Sequence, residues 1–357
     1  MEKPLKGSYA LIKEKIAERQ PMHNVDFRQQ DFDKFNIAGA YFIDCQFDAC
    51  IFRECDLSRV HFITCDMAGV QFIDNQYRTA QIIQCNLQSS HWRGGITKLT
   101  ISDCSLIGSY WTGAQLISCT LCVGDFTSSQ FMNCHLKTTS LTQIVTDSVS
   151  LVNTQFQNVS WMDTDFSQMS IEGCEFERVL LLKCDLSGLD FSGLIFHYCT
   201  CNGSQLIATK FNQAVVNNCS FSSCELRDVE FCQARLSKSL FVGSKLERCD
   251  FSQADVSHGK FLKAKLNDCS FAKCDLTQAS FKNAELKNVD FTGSKLQYAT
   301  FSYAKASSCQ FNHCELLRTN IHALFEEECQ WRGTAKTGLL AADKQQQVID
   351  ARLREFG

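Results

Sequence analysis

The chain has 357 residues, a formal net charge of −4 and only two prolines. So small a charge does not suit a strongly basic nucleic-acid binder, and direct nucleic-acid binding is not expected. The longest apolar runs are too short for a transmembrane helix, and the N-terminus lacks the apolar core of a signal peptide. We therefore expect a cytoplasmic protein that does not insert into a membrane.

The first predicted element is a short amphipathic helix within residues 1–22. Leu5, Tyr9, Ile12 and Ile16 share one side of it, and Pro21 suits its end. We expect this helix to cap the element that follows, although a partner-binding helix is the alternative.

From residue 23 onward a large apolar residue stands at almost every fifth position. The series begins Phe27, Phe32, Ile37, Phe42, Phe47, Phe52. A period of five fits neither a helix nor a strand, and it predicts a solenoid. The first repeat block spans 23–92 and the second spans 96–331. One residue is missing at 93–95, where Gly94 and Gly95 favour a shortened corner, so we expect a kink or local irregularity there.

A small residue stands two positions before each large one. Of the 22 cysteines, 19 occupy that small position, where they interchange with Ala, Ser, Val and Thr. A buried free cysteine behaves as a small hydrophobic residue. The register therefore predicts buried free thiols rather than disulfides, as suits a reducing cytosol.

Segments such as Ala284–Asn288 (AELKN) and Cys274–Gln278 (CDLTQ) resemble the A(D/N)LXX unit of the pentapeptide repeat protein family. The resemblance implies an all-β fold, a right-handed quadrilateral β-helix with one pentapeptide on each of four faces. We expect about 15 coils, because about sixty units follow one another at four to a coil, with short terminal α-helices. Phenylalanines twenty residues apart should then form two structural ladders: Phe221, Phe241, Phe261, Phe281 and Phe301, and Phe231, Phe251, Phe271, Phe291 and Phe311.

No catalytic, metal or cofactor-binding site is predicted. The eight histidines occupy outward positions or the termini, and no recognised catalytic or phosphate-binding motif is present. His197 lies near Cys199 and Cys201, but both cysteines take inward positions while the histidine points outward. We therefore expect a protein that is not an enzyme.

Outward apolar residues and irregularities mark the candidate protein interface. Ile43, Ile63 and Ile83 recur at twenty-residue spacing, so they should line one face, unless they lie beside a corner and are partly covered. The remaining candidates are the outward residues Met162, Leu180 and Leu182, the break at Trp92, Arg93, Gly94 and Gly95, and the C-terminal residues Val348, Leu353 and Phe356. The last three lie in a helix predicted within 332–357, which would cap the solenoid or form a homodimer.

The predicted function is a non-catalytic protein-interaction scaffold or adaptor whose partner is unknown. Resemblance to long members of the family suggests a narrower role, an accessory adaptor or chaperone of a bacterial secretion system in the cytoplasm. The alternative is a DNA mimic that binds and protects a topoisomerase (gyrase), as some family members do. Residues 23–220 carry 19 acidic and 11 basic residues, whereas 221–331 carry 14 of each. Mimicry therefore requires an acidic stripe in the first part of the chain.

Overall fold

The protein was studied as a computed structural model, which describes residues 4–340. The chain divides into two compact units, unit 1 ending at Cys184 and unit 2 beginning at Asp185.

Each five-residue unit places two side chains inside and turns at its last residue. In Cys274–Gln278, Cys274 and Leu276 are buried, and Gln278 is an exposed corner residue with φ of 59°. The carboxylate of Asp275 accepts a hydrogen bond from the backbone N–H of Thr277 at 3.0 Å. Ala279 then closes the turn by donating its N–H to the carbonyl of Leu276 at 2.9 Å. The small, acidic and large residues of the repeat thus each have a structural task.

Unit 1 begins with a helix, Tyr9–Glu18, that lies over the first coil. Ser8 caps its N-terminus by accepting the N–H of Leu11 at 3.2 Å, and Ile12 is fully buried. The ring of Tyr9 packs 5.4 Å from that of Phe32. The predicted N-terminal helix is therefore confirmed over these residues. The strand Leu5–Lys6 pairs in parallel with Val25–Asp26.

Three parallel sheets cover the sides of unit 1. Sheet I has nine strands: Met22–His23, Tyr41–Ile43, His61–Ile63, Gln81–Ile83, Thr100–Ser102, Thr120–Cys122, Ser140–Thr142, Ser160–Met162 and Leu180–Leu182. Sheet II has eight: Asp31–Asp33, Ile51–Arg53, Gln71–Ile73, His91–Arg93, Tyr110–Thr112, Gln130–Met132, Ser150–Val152 and Ser170–Glu172. Sheet III contains Gly95–Thr97, Gln115–Ile117, His135–Lys137, Gln155–Gln157 and Glu175–Glu177. The fourth side is built mainly from tight turns.

The missing residue shortens one corner without interrupting the stack. Trp92 pairs with Phe72, twenty residues earlier, but with Trp111, only nineteen residues later. The two tryptophan rings remain stacked, with centroids 4.6 Å apart. Gly94 has φ of 89° and stands both as the corner residue after Trp92 and two positions before the inward Ile96. One residue thus replaces two, and the irregularity stays local to this corner.

Unit 2 has one regular sheet and three sides joined by isolated bridges. Sheet IV has seven parallel strands: Gln205–Ile207, Glu225–Arg227, Lys245–Glu247, Lys265–Asn267, Glu285–Lys287, Lys305–Ser307 and Phe325–Glu327. The remaining strands of unit 2 are Ile195–His197, Thr319–Asn320 and Leu339–Leu340.

Both predicted phenylalanine ladders are confirmed in unit 2. Successive rings within each ladder stack with centroids 4.6–5.4 Å apart. Rings of opposite ladders meet edge to face, as Phe241 and Phe251 do at 5.6 Å. The core is therefore filled by aromatic contacts along and across the coils, and the predicted four-sided β-solenoid is confirmed.

The cysteines follow the predicted register. All 22 carry free thiols, and only Cys122, Cys232 and Cys329 are partly exposed. Of the 19 cysteines assigned to the small position, Cys329 alone is not fully buried.

The C-terminal region departs from the prediction. Residues 332–340 contain a 3-10 helix, Lys336–Gly338, and the strand Leu339–Leu340, which pairs with Thr319–Asn320, so no α-helix begins at 335. The rest of the predicted helix lies outside the described residues. The solenoid has about 17 turns rather than about 15, because the strands at both ends add to the stack.

Candidate functional site

Large apolar side chains fill the interior of the coils in the part of the chain that the structure describes. A cavity in unit 1 beside Thr146 has a volume of about 10 Å³, which is barely the space of one water. Within residues 4–340, no group of three or more His, Cys, Asp or Glu side chains is placed to hold a metal ion. Over the same residues, no helix has the length and apolar character needed to cross a membrane. Candidate sites are therefore surfaces.

Sheet I brings together the two apolar clusters that the sequence suggested separately. Ile43, Ile63 and Ile83 occupy equivalent places on neighbouring strands. Met162 pairs with Leu182 farther along the same sheet. The isoleucines and Leu182 are half-buried, because they stand beside a corner and lie next to one another in register, whereas Met162 is 39% exposed.

Sheet I also carries no Asp, Glu, Lys or Arg at any outward position of its nine strands. Charged residues make up 21% of the chain, so this absence sets the sheet apart. Its outward surface runs about 38 Å, from the strand spacing of about 4.8 Å. Charges appear only at the corners: Arg59, Lys98 and Arg178 along one edge, and Asp44, Asp103, Asp163 and Lys183 along the other. An uncharged centre with a charged rim is typical of protein interfaces.

At one end the surface of sheet I continues into a groove. The groove has a volume of about 430 Å³ and lies between the N-terminal helix and the first coils, where Tyr41 forms part of its wall. Lys15, Arg19 and Arg59 also line it. Lys15 pairs with Glu18 at 3.0 Å, whereas the two guanidinium groups have no ion pair among the described residues. The groove is therefore positively charged.

The other predicted interface residues are distributed differently. Trp92 is only 1% exposed, and its indole N–H donates to the hydroxyl of Ser90 at 2.8 Å, so its side chain belongs to the core. Arg93 and Gly95 are exposed, but they lie away from sheet I, on sheets II and III. Leu180 is exposed on sheet I. Val348, Leu353 and Phe356 lie outside the described residues.

The acidic residues of unit 1 do not form a continuous stripe. On the side built from tight turns they fall into two groups, Asp26, Asp48 and Asp66 at one end and Asp125, Asp147 and Asp165 farther along. Asn86, Gln88, Ser105 and Ile107 separate the groups. Several of these carboxylates are used inside turns, as when Asp125 accepts the N–H of Thr127 at 2.9 Å.

The lack of charge on sheet I was not predicted from the sequence, because the total charges of long segments average over four sides. The signal becomes visible only when every twentieth residue is read as one column, with one residue dropped at Gly94. In this column Ile83 is followed by Ser102, and the two residues pair in the structure.

Two sequence-family models match the chain. The model described as pentapeptide repeats matches residues 22–59, 40–74, 199–237 and 224–261, and the model described as a pentapeptide repeat region matches 244–321. No curated protein sequence matches significantly.

Solved structures of similar repeat proteins were also found. HetL from Nostoc sp. strain PCC 7120, a pentapeptide repeat protein involved in heterocyst differentiation regulation, is 15% identical, with 78% of this chain and 94% of HetL covered and a TM-score of 0.22. Full-length QnrB1, a plasmid-mediated fluoroquinolone resistance protein, is 17% identical, with 73% of this chain and 99% of QnrB1 covered and a TM-score of 0.19. Scores this low carry no inference about function.

The assignment rests instead on the five-residue register, on the pairing of residues twenty apart and on the two family models. Because these observations agree, the chain belongs to the pentapeptide repeat protein family.

Proposed function

We propose that the protein is a non-catalytic interaction scaffold and that sheet I is its main contact surface. The observation that carries this proposal is the absence of charged side chains at the outward positions of all nine strands. Binding to such a surface does not require ionised groups to lose their water, which is the main cost of burying charges. The partner is a protein with a complementary apolar surface.

The positively charged groove is continuous with the surface of sheet I. Tyr41 is 45% exposed and stacks on His61 with ring centroids 4.2 Å apart, so it belongs to both the groove and sheet I. A partner that lies along the sheet can place acidic side chains beside Arg19 and Arg59. Tyrosine and arginine are enriched among the residues that dominate binding energy at interfaces.

The narrower role, an adaptor or chaperone of a bacterial secretion system in the cytoplasm, is the finer form of this proposal and rests on family resemblance alone. The gyrase-binding alternative receives less support. A DNA duplex presents a charge about every 1.7 Å, whereas the acidic residues of unit 1 are interrupted and partly used in turns.

The test compares Ile63→Glu on sheet I with Ile73→Glu on sheet II. Both isoleucines are half-buried and follow a buried core residue in a three-residue strand. Ile63 lies between Ile43 and Ile83, whereas Ile73 lies between Arg53 and Arg93, so thermal melting of both variants is measured beside the capture. Proteins captured from the source cell by the wild-type chain are quantified beside those captured by each variant. We expect the specific partner to be lost with Ile63→Glu and retained with Ile73→Glu.

Equal loss with both variants, each melting like the wild-type chain, would contradict the assignment to sheet I. Purified gyrase is tested in parallel. Sub-micromolar gyrase binding that persists in Ile63→Glu would replace the proposal with the DNA-mimic hypothesis.

A further inference from the structure

The acidic and basic residues of unit 2 are distributed unevenly among its sides, although residues 221–331 carry 14 of each. The basic face consists of the outward residues of the units built on Phe221, Phe241, Phe261, Phe281 and Phe301, together with the corner residues on either side of them. The register is fixed by bridges between residues twenty apart, such as Leu240 to Lys260. None of the 14 acidic residues between 221 and 331 lies on this face. Four lysines do: Lys238, Lys260, Lys263 and Lys282.

These lysines differ from the basic residues of sheet IV in having no counter-charge. On sheet IV, Lys265 pairs with Glu285 at 3.1 Å, and Arg248 at its corner pairs with Asp228 at 2.6 Å. The four lysines of the basic face form no ion pair with any residue in 4–340. The one directional contact they make there places the ammonium of Lys282 5.8 Å from the ring centre of Tyr303. Their positive charges are therefore available to a negatively charged group of another molecule.

Apolar side chains stand between these lysines. Leu240 is 37% exposed, and Val242 and Leu262 are half-buried beside it. Farther along, the outward residues Ser280 and Ser302 are only 7% and 6% exposed, so the accessible part of the face centres on the units of Phe241 and Phe261. A phosphate backbone would make no use of these aliphatic groups, whereas a protein segment would bury them.

We propose that the basic face of unit 2 binds an acidic segment of a partner protein that also carries apolar side chains. Successive coils lie about 4.8 Å apart, so the four lysines span about 10 Å along the unit. Two turns of an amphipathic helix match that length. Residues 341–357 of this chain carry three acidic and three basic residues and provide no net negative charge. The lysines tested below belong to unit 2, whereas the strands of sheet I belong to unit 1, so the test substitutes no residue of the proposed scaffold surface.

The binding test uses a short fluorescein-labelled peptide of Glu, Asp and Leu, with anisotropy measured against the full chain. An analogue with Lys in place of the acids and a single-stranded oligonucleotide serve as alternative probes. We expect the acidic peptide alone to bind, and its affinity to fall as salt is raised.

The decisive variant is the double change Lys260→Glu and Lys263→Glu, matched by Lys295→Glu and Lys273→Glu. The two doubles change the net charge equally. Each combines an exposed lysine just before a large residue with one at a corner, but the second pair lies on other sides. We expect the first double to weaken peptide binding at least about tenfold and the control to change it less than about twofold. Leu240→Ser should also weaken binding, and Leu317→Ser, exposed on a different side, should not.

Three results would overturn the proposal: no peptide binding by the wild-type chain up to millimolar concentration, equal losses in both double variants, or tighter binding of the oligonucleotide than of the peptide. The last result would assign the face to nucleic acid. All four substituted lysines are exposed, but Lys295 lies in register between Asp275 and Glu315, where a third carboxylate is unfavourable. Thermal melting of both doubles is therefore measured, and melting like that of the wild type excludes misfolding as the cause.

Discussion

Substitution of Gly94, the glycine of the shortened corner, should destabilise the protein. The φ of Gly94 is 89° and lies in the left-handed region, where a Cβ is unfavourable. A Cβ at Gly94 would also lie 3.0 Å from the Cα of Asp74 in the coil before, and backbone cannot move aside as a flexible side chain can. Gly113 provides the matched control. It has φ of 62° at an ordinary corner, and a Cβ there would meet nothing within 4 Å.

The two variants separate conformational strain from close approach. A left-handed alanine costs about 1–2 kcal/mol, of which about 0.4–1 kcal/mol is offset by the lower entropy of the unfolded chain. Gly113→Ala should therefore destabilise by about 0.5–1 kcal/mol. Gly94→Ala adds overpacking of about 1–3 kcal/mol, so a total of about 2–4 kcal/mol is expected.

Urea denaturation followed by circular dichroism measures both changes, with agreement between spectroscopic probes confirming a single transition. Gly95→Ala is a further control. Gly95 has no atom within 4 Å of a built Cβ and no left-handed φ, so this variant should match the wild type or exceed it slightly in stability. Equal destabilisation by Gly94→Ala and Gly113→Ala would show that the close approach to Asp74 contributes nothing.

Three further predictions concern the core. Phe251→Ala should destabilise unit 2 by about 3–5 kcal/mol, because the ring stacks at 4.7 Å and 4.6 Å on its two ladder neighbours, while Phe251→Leu should cost far less in the same denaturation assay. A thiol titration should detect at most the three partly exposed cysteines in the native chain and all 22 after unfolding; rapid reaction of most thiols in the native chain would contradict the buried register. Burial raises the pKa of Cys50, Cys224 and Cys274 to about 12 from an ordinary value near 9. The unfolded chain therefore releases protons above about pH 9 that the folded chain retains, so the free energy of unfolding should fall between about pH 9 and pH 12, whereas a Cys224→Ala, Cys274→Ala variant should show a weaker fall.

The fold was predictable because one periodicity determines it. A five-residue period with a small and a large apolar residue predicted a solenoid, and the resemblance to the pentapeptide repeat family implied four sides. With four sides, the alternation of Phe and Leu indicated which rings would stack. The shortened corner was predicted at the right place. The sequence pattern did not reveal that the tryptophan stack continues through it, because that depends on Gly94 serving two consecutive units at once.

The C-terminal region was harder to predict, because its apolar residues are too loosely spaced to define a helix face. In the structure, Leu339 and Leu340 pair with the preceding coil instead of starting a helix. A strand of two residues gives no periodic signal, so an extension of the stack at this end was not predictable from hydrophobic spacing.

Surface charge was the least predictable property, because a lysine's neighbours in sequence lie on other sides of the coil. Lys260 and Lys265 are five residues apart, yet the first stands on the basic face and the second pairs with Glu285 on sheet IV. Lys260 and Lys282 are far apart in sequence and lie on adjacent coils of one face. Segment totals therefore hid the segregation of charge that the twenty-residue register reveals.

Among the acidic residues just before a large residue, some close a turn with their carboxylate and others stand in a strand. An aspartate just before the large residue closes its own turn, as Asp255 does by accepting the N–H of Ser257 at 3.0 Å. Such a carboxylate accepts a hydrogen bond from a backbone N–H of the turn, so its presence is explained by the fold.

Glu225 and Glu285, by contrast, stand at the same position in strands where no such turn is closed. A carboxylate of this second kind is available to other groups, as Glu285 is in pairing with Lys265 at 3.1 Å. In unit 1, where DNA mimicry would have to reside, Glu175 is one of the few in that position. Turns of this kind account for Asp26, Asp56, Asp66, Asp125 and Asp165 in unit 1, so part of the acidic surplus in the first part of the chain serves the backbone and does not indicate a DNA-like surface.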